Sequence, residues 1–243
     1  MPSAPREAGR GSTLLQNNPA VIAASGYAVL LVSQPNPSDG RFTGAELAQR
    51  ILDIADKAAA VAPVDAERLA LIGHSYGGYN VLSAAPHSPR FAAVIASNGA
   101  ADHSTTLILP QFYRTAVDEG VPIGTSIGWA ETGQAAVGVF PEDAARYVAL
   151  SPLYDAAALT TPALLIESDL DRPRYGALFG ALYRLNREAA WLNYFGEGHT
   201  LASPANVRDL HQRILAWLGR YLGPPVGDPP RPVPSPDLED GGE

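Results

Sequence analysis

The stretch Arg68-Leu69-Ala70-Leu71-Ile72-Gly73-His74-Ser75-Tyr76-Gly77-Gly78 decides how this chain folds. An apolar run of strand length leads directly into a small-residue sequence of the form GxSxGG, and a segment of helical character follows it. A strand that turns sharply into a helix needs small neighbours, which accounts for the glycines at positions 73, 77 and 78. The pattern therefore predicts that Ser75 lies at the apex of a strained turn.

This arrangement is typical of the nucleophile elbow of α/β-hydrolases, and it makes Ser75 the candidate nucleophile. Bare GxSxG patterns arise by chance in chains rich in small residues, and this chain has 23 glycines. The predicted strand before the motif and the predicted helix after it are what support the interpretation.

The composition favours one globular domain and excludes several classes of site. The chain has 243 residues, of which 46% are hydrophobic, so it can bury a large core. Its net charge is −8, and no basic cluster suggests nucleic acid as a partner. Cysteine is absent, which excludes disulfides, thiolate metal sites and a cysteine nucleophile.

The sequence also predicts how the chain is divided. We expect an irregular segment over residues 1–17, a catalytic domain over 18–222 and a disordered tail over 223–243, which is rich in proline and acidic residues. The apolar run from Val21 to Val32 is too short to span a bilayer, so no membrane association is expected. No signal peptide is recognisable, which favours a cytoplasmic location by default, although a truncated start could hide one.

Strand patterns alternate with helix patterns along the chain, as in a doubly wound α/β fold with a mostly parallel sheet. The predicted strands are Tyr27 to Ser33, Arg68 to Ile72, Phe91 to Ser97, Ala163 to Glu167 and Ala190 to Phe195. The predicted helices are Pro19 to Ser25, Gly44 to Val61, Tyr76 to Ala85, Arg174 to Arg187 and Pro204 to Leu222.

Between Gly99 and Leu150 the pattern is weak, and we expect a variable cap over the site there. Phe112, Tyr113 and Trp129 in that segment are candidates for lining an apolar substrate pocket, the alternative being simple packing of the cap. Glu119 and Glu131 are weaker candidates for binding a substrate amine.

Serine is a poor nucleophile at neutral pH and needs a base, which in turn needs a carboxylate to orient it. In α/β-hydrolases these groups follow the chain order serine, acid, histidine. His199 lies in the glycine-flanked sequence Gly196-Glu197-Gly198-His199-Thr200, directly after the last predicted strand, and is the candidate base. The other four histidines, His74, His87, His103 and His211, are interpreted as structural.

The acid is expected after the strand Ala163 to Glu167. Asp169 and Asp171 are both reachable by spacing, and Asp102 is a third and weaker choice. No pair of histidines has the spacing of a metal site, so no metal and no cofactor are predicted.

Several pieces of the chain resemble the catalytic domain of the prolyl oligopeptidase family of serine peptidases. The matching pieces are Gly26 to Leu30, Gly73 to Tyr79, Ser151-Pro152-Leu153, Thr161 to Ile166 and Gly196 to His199. The resemblance implies a serine peptidase acting on a peptide or small acyl substrate. It also implies Asp171 as the acid and the backbone N–H of Tyr76 as one oxyanion donor, and it leaves oligomerisation possible.

The chain also departs from this family pattern. It carries Glu167-Ser168 where the family usually has His-Gly, and Arg174-Tyr175 where the family has Val-Pro. Five of the family's eight strands are recognisable, so we expect an α/β-hydrolase fold that lacks its first strands, with a gap beside the nucleophile strand. The tyrosine that supplies the family's second oxyanion donor has no counterpart. A carboxylesterase and a truncated noncatalytic domain therefore stay open as alternative functions.

Overall fold

Four parallel strands form the central sheet of the computed structural model, which describes residues 18–32, 42–107, 136–171 and 175–224. The strands are β1 (Leu69–His74), β2 (Phe91–Ser97), β3 (Ala163–Ser168) and β4 (Ala189–Tyr194), adjacent in the order β1-β2-β3-β4. Every neighbouring pair is parallel, which brings the carboxyl ends of all four strands to one edge.

Six α-helices accompany these strands in the described ranges. They are α1 (Pro19–Ala24), α2 (Gly44–Ala59), α3 (Tyr76–Ala84), α4 (Ala144–Ala149), α5 (Gly176–Arg184) and α6 (Pro204–Tyr221). Short 3₁₀ turns cover Ala85–His87, His103–Leu107 and Pro152–Asp155. The five predicted helices and four of the five predicted strands are confirmed, with ends displaced by a few residues at most.

Side-chain caps explain where two of the helices begin. The Asn18 side chain accepts a hydrogen bond from Ala20 N–H at 3.0 Å, and Pro19 follows as the first residue of α1. At α2, Thr43 and Glu46 form a capping box in which each side chain bonds the other residue's backbone N–H. The amide groups that a helix leaves unpaired at its start are thereby satisfied.

The core divides into two layers because successive side chains of a strand point to opposite faces. One layer joins α2, α3 and α5 to the sheet through buried Leu47, Leu82, Leu165 and Leu178, among others. The other layer packs α1 and α6 on the opposite face, with Ile22, Ile95, Leu164, Ile166 and Leu210 buried. Helices on both faces of a parallel sheet confirm the doubly wound α/β class.

The predicted strand from Tyr27 to Ser33 is wrong over the residues that the structure describes. Residues 27–32 form no strand, and Val29, Leu30 and Leu31 are 39%, 47% and 58% exposed. An apolar run becomes a strand only when a neighbouring strand accepts its backbone hydrogen bonds. No such neighbour is present among the described residues, although the Tyr27 hydroxyl still donates to Gly223 O at 3.1 Å.

Strand β1 lies at an edge of the described sheet. It pairs with β2 on one side, and Ile72 in its middle is 47% exposed. This agrees with the expected gap beside the nucleophile strand and with an incomplete α/β-hydrolase fold.

Some predictions fall outside the described residues. These are the irregular segment 1–17, most of the tail, and the substrate-pocket candidates Phe112, Tyr113 and Trp129, together with Glu119 and Glu131. Over the described ranges, no helix combines the length and the apolar character needed to cross a membrane.

Candidate active site

Ser75 occupies the sharp turn between β1 and α3. Its backbone has φ 58° and ψ −124°, a left-handed conformation that is rare for a residue with a side chain. The turn closes tightly, because a Cβ atom on Gly73 would lie 2.1 Å from Gly77 O, and one on Gly99 would lie 2.7 Å from Ser75 O. Ser75 therefore projects from a crowded turn at the carboxyl edge of the sheet.

The glycines around the turn are required to different degrees. A Cβ atom on Gly78 would be 3.0 Å from both Ser97 O and the Tyr175 hydroxyl, so this position is also tight. A Cβ atom on Gly77 would have no heavy atom within 4 Å. The expectation that crowding explains all three elbow glycines is thus wrong for Gly77.

The structure brings Ser75, His199 and Asp171 into one chain of hydrogen bonds. His199 Nε2 lies 2.8 Å from Ser75 Oγ, and His199 Nδ1 lies 2.8 Å from Asp171 Oδ2. The Asp171 side chain is 6% exposed and the His199 side chain 46% exposed. Because a carboxylate can only accept, Nδ1 carries the proton and Nε2 is left to accept from the serine hydroxyl. This is the geometry that general-base activation of a serine requires.

The three candidate acids make different contacts, and two of them lie in the loop after β3. Asp171 reaches the histidine, and its own N–H donates to Ser168 O at 3.1 Å. Asp169 instead accepts from Gly196 N–H at 2.6 Å, which holds this loop to the loop after β4. Asp102 lies elsewhere, where its carboxylate accepts from the backbone N–H and the hydroxyl of Ser104.

Glu197 organises the loop that carries His199. It is 3% exposed, and its carboxylate accepts from Ala202 N–H at 2.7 Å, Ser203 N–H at 3.1 Å and the Asn206 amide at 2.7 Å. Burial raises the pKa of this carboxyl, but the three hydrogen bonds outweigh it and leave the pKa below the usual value. The loop is thereby fixed to the first turn of α6 by an ionised side chain.

Sequence reasoning noted Glu167-Ser168 and Arg174-Tyr175 as departures from the family pattern without assigning them a role. In the structure, buried Glu167 accepts from Tyr175 N–H at 2.9 Å, and the Tyr175 hydroxyl accepts from Gly99 N–H at 2.7 Å. Glu167 and Tyr175 therefore pair with each other beside the elbow. Asn98, which sequence reasoning missed, bonds both Ser168 and His199. Its position directly after β2, at the carboxyl edge of the sheet, was the available signal.

The other histidines lie in different surroundings. The His74 ring centroid is 4.9 Å from that of His199, and its Nδ1 is 3.4 Å from Ser97 Oγ. His103 is fully buried against Tyr79, and His211 bonds Val207 O within α6. His87 is exposed at the end of a 3₁₀ turn. The imidazole that the structure places 2.8 Å from Ser75 Oγ is that of His199.

Tyr76, the candidate oxyanion donor, is the first residue of α3 and directly follows Ser75. The backbone N–H groups at the start of a helix point along its axis, and the helix dipole makes this end favourable for negative charge. Over the described residues, no cluster of three or more histidine, aspartate or glutamate side chains could hold a metal ion.

Comparison with known protein families supplies the identity of the domain. The sequence profile of the prolyl oligopeptidase family matches residues 41–225, most of the chain. The chain belongs to the prolyl oligopeptidase family. The matched segment contains the elbow, all three candidate acids and His199.

Two curated relatives of this family member are dipeptidyl peptidases. Dipeptidyl-peptidase 5 of Porphyromonas gingivalis is 29% identical over 65% of this chain and 22% of its own length. Probable dipeptidyl-peptidase 5 of Emericella nidulans is 28% identical over 85% of this chain and 29% of its own length. This chain thus spans less than a third of either relative.

Solved structures of two peptidases share the fold. A puromycin-hydrolyzing peptidase of Mycobacterium tuberculosis aligns with a TM-score of 0.60 at 23% identity, over 74% of this chain and 26% of that chain. An acylaminoacyl peptidase of Pyrococcus horikoshii also aligns with a TM-score of 0.60, at 24% identity over 74% of this chain and 28% of that chain. At these identities the likeness establishes the fold, which is that of an α/β-hydrolase.

Proposed function

We propose that this polypeptide is a serine peptidase of the prolyl oligopeptidase type that cleaves peptide bonds through an acyl-enzyme on Ser75. The observation that carries the proposal is the continuous chain of hydrogen bonds from Asp171 through His199 to Ser75, with both distances 2.8 Å. Membership of a peptidase family and the dipeptidyl peptidase relatives support a peptide as the substrate.

In the first half of the reaction, Ser75 Oγ attacks the scissile carbonyl carbon and its proton passes to His199 Nε2. Asp171 stabilises the resulting imidazolium through Nδ1–H. The negative charge that develops on the carbonyl oxygen is stabilised by the backbone N–H of Tyr76 at the start of α3. The carbon–nitrogen bond then breaks as His199 returns the proton to the leaving amine, and the acyl group remains on Ser75.

In the second half, water replaces the amine. His199 Nε2 removes a proton from the water, the resulting oxygen nucleophile attacks the ester carbon, and Ser75 leaves as it regains the proton. The free acid product is released and the resting hydrogen bonds are restored. The chemistry needs no electron transfer and no cofactor.

Labelling with a fluorophosphonate probe tests the proposal, because this probe reacts with activated serines. We expect the purified chain to be labelled and the label to be lost in Ser75→Ala. Ser83→Ala is a matched control, since Ser83 lies in α3 and has no assigned role, and it should label like the wild type. A folded wild type that is not labelled, or a Ser75→Ala variant that is still labelled, contradicts the proposal.

The substrate class needs a separate measurement, since carboxylesterases use the same three groups. A panel of aminoacyl and dipeptidyl amides is compared with short acyl esters, with Ser75→Ala as the background in each assay. We expect amide hydrolysis that depends on Ser75. Hydrolysis of esters alone would instead identify a carboxylesterase.

A noncatalytic hydrolase-fold domain is the second candidate, and the position of β1 favours it. The strand that leads to Ser75 lies at an edge of the described sheet, with Ile72 about half exposed. This candidate predicts cooperative unfolding in denaturant together with no labelling and no hydrolysis.

A further inference from the structure

Asn98 lies where the acid loop and the base loop meet. It directly follows β2, is fully buried and has a backbone φ of 47°, a left-handed conformation that asparagine tolerates better than most residues. Its backbone N–H donates to Ile166 O at 2.8 Å, which holds it against β3. The side chain is therefore presented in a fixed direction at the carboxyl edge of the sheet.

Both ends of the Asn98 amide are used. The Nδ2 group donates to His199 O at 2.9 Å and to Ser168 Oγ at 3.2 Å, while Oδ1 accepts from Ser168 N–H at 3.1 Å. A backbone N–H can only donate and a backbone carbonyl can only accept, so these contacts fix the orientation of the amide.

These contacts connect the acid to the base. Asn98 holds Ser168, and Ser168 O accepts from the N–H of Asp171. On its other side the same amide holds the backbone of His199. Since the His199 side chain is almost half exposed, packing does little to fix its ring. The distance between the Asp171 carboxylate and the His199 ring therefore depends on Asn98, which contacts both loops.

We infer that Asn98 is a positioning residue that sets the alignment of His199 with Asp171 and Ser75. The inference rests on the proposed function, because it assigns Asn98 a role in the same reaction. Asn98 acts through the backbone of His199 and of Ser168 rather than by touching the reacting atoms. A misplacement of about 1 Å at such a group can cost about 100-fold in rate.

Three variants separate the contacts of Asn98. Asn98→Gly removes the side chain while allowing the left-handed backbone. Asn98→Asp keeps the volume and the acceptor for Ser168 N–H, but its carboxylate cannot donate to His199 O. Ser168→Ala is the matched control, because it removes only the hydroxyl partner of Nδ2. The backbone contacts of Ser168 with Asn98 and Asp171, and the bond from Asn98 to His199, stay in place.

The first measurement is kinetic. We expect kcat to fall about 10- to 100-fold in Asn98→Gly and Asn98→Asp while KM changes by less than about threefold, and the labelling rate to fall in parallel. Ser168→Ala should stay within about threefold of the wild type. If wild type and both Asn98 variants share the same kcat and labelling rate, the positioning role is overturned while the proposed function stands.

The second measurement does not depend on activity. The proton on His199 Nδ1, hydrogen-bonded to Asp171, gives a low-field ¹H NMR resonance that His199→Ala identifies by its loss. We expect this resonance to shift or broaden in Asn98→Gly and Asn98→Asp and to be retained in Ser168→Ala. A wild type with the resonance but without labelling would contradict the proposed function and still test Asn98. A resonance unchanged in both Asn98 variants would overturn the positioning role.

Discussion

Replacing Asp171 by asparagine should nearly abolish catalysis while leaving the fold intact. The change removes a charge from a side chain that is 6% exposed and lies 2.8 Å from His199 Nδ1. If the new amide turns its NH₂ group toward Nδ1, that nitrogen must accept, and the ring proton moves to Nε2. A protonated Nε2 faces Ser75 Oγ and cannot take its proton.

The structure sets the expected magnitude. Asp171 is buried, so water has little access to take over its role at Nδ1. An asparagine at this position of a serine–histidine–aspartate triad lowers kcat about 10⁴-fold. At about 1.4 kcal/mol for each factor of ten, this corresponds to about 5 kcal/mol of transition-state stabilisation. KM should change little, because the carboxylate is directed at the histidine rather than at the expected substrate.

The control is Asp169→Asn, two residues earlier in the same loop. Its side-chain oxygen can still accept from Gly196 N–H as an amide, so we expect kcat within about tenfold of the wild type. Both variants are assayed for hydrolysis of the best peptide amide and for the rate of fluorophosphonate labelling. An Asp171→Asn variant that retains more than a tenth of wild-type kcat refutes the reasoning. A larger loss in Asp169→Asn than in Asp171→Asn refutes it as well.

Three further predictions concern stability. Gly73→Ala should lower the free energy of unfolding in urea by about 1–3 kcal/mol or more, because its Cβ would lie 2.1 Å from Gly77 O. Gly77→Ala has open space around its Cβ and should be neutral or stabilising. Equal losses of stability in the two variants would contradict this. Leu165→Ala should cost about 2–5 kcal/mol, since Leu165 is fully buried, and a loss below about 1 kcal/mol would mean that the core collapses around the cavity. Because the pKa of Glu197 is lowered on folding, the stability that its carboxylate contributes is complete above the ordinary value of 4.5 and is lost as pH falls through the lowered pKa. Glu197→Gln should therefore be less stable than the wild type at pH 7, with a difference that narrows as pH falls below 4.5. A difference independent of pH would be evidence against an ionised Glu197.

Much of the fold follows from local patterns in the sequence. Alternation and apolar runs predicted β2 over Phe91–Ser97 without error, and helical spacing predicted α2 from Gly44. The GxSxGG motif predicted the turn at Ser75, since turn chemistry depends on neighbouring residues. The strand predicted from Tyr27 was wrong because a strand also requires a neighbouring strand, which local sequence does not specify.

Local sequence likewise predicted one part of the candidate site, and the tertiary structure decided the rest. The sequence by itself determined the nucleophile candidate Ser75 and the candidate base His199, because each lies in a distinctive glycine-flanked motif. Spacing left Asp169 and Asp171 as alternatives, and tertiary structure decided which of them meets the histidine. Tertiary structure also brought Asn98 to His199, a contact between residues 101 positions apart that no local pattern encodes. The physical reason is that motifs specify local backbone conformation, whereas hydrogen bonds between loops depend on how the strands are ordered and packed.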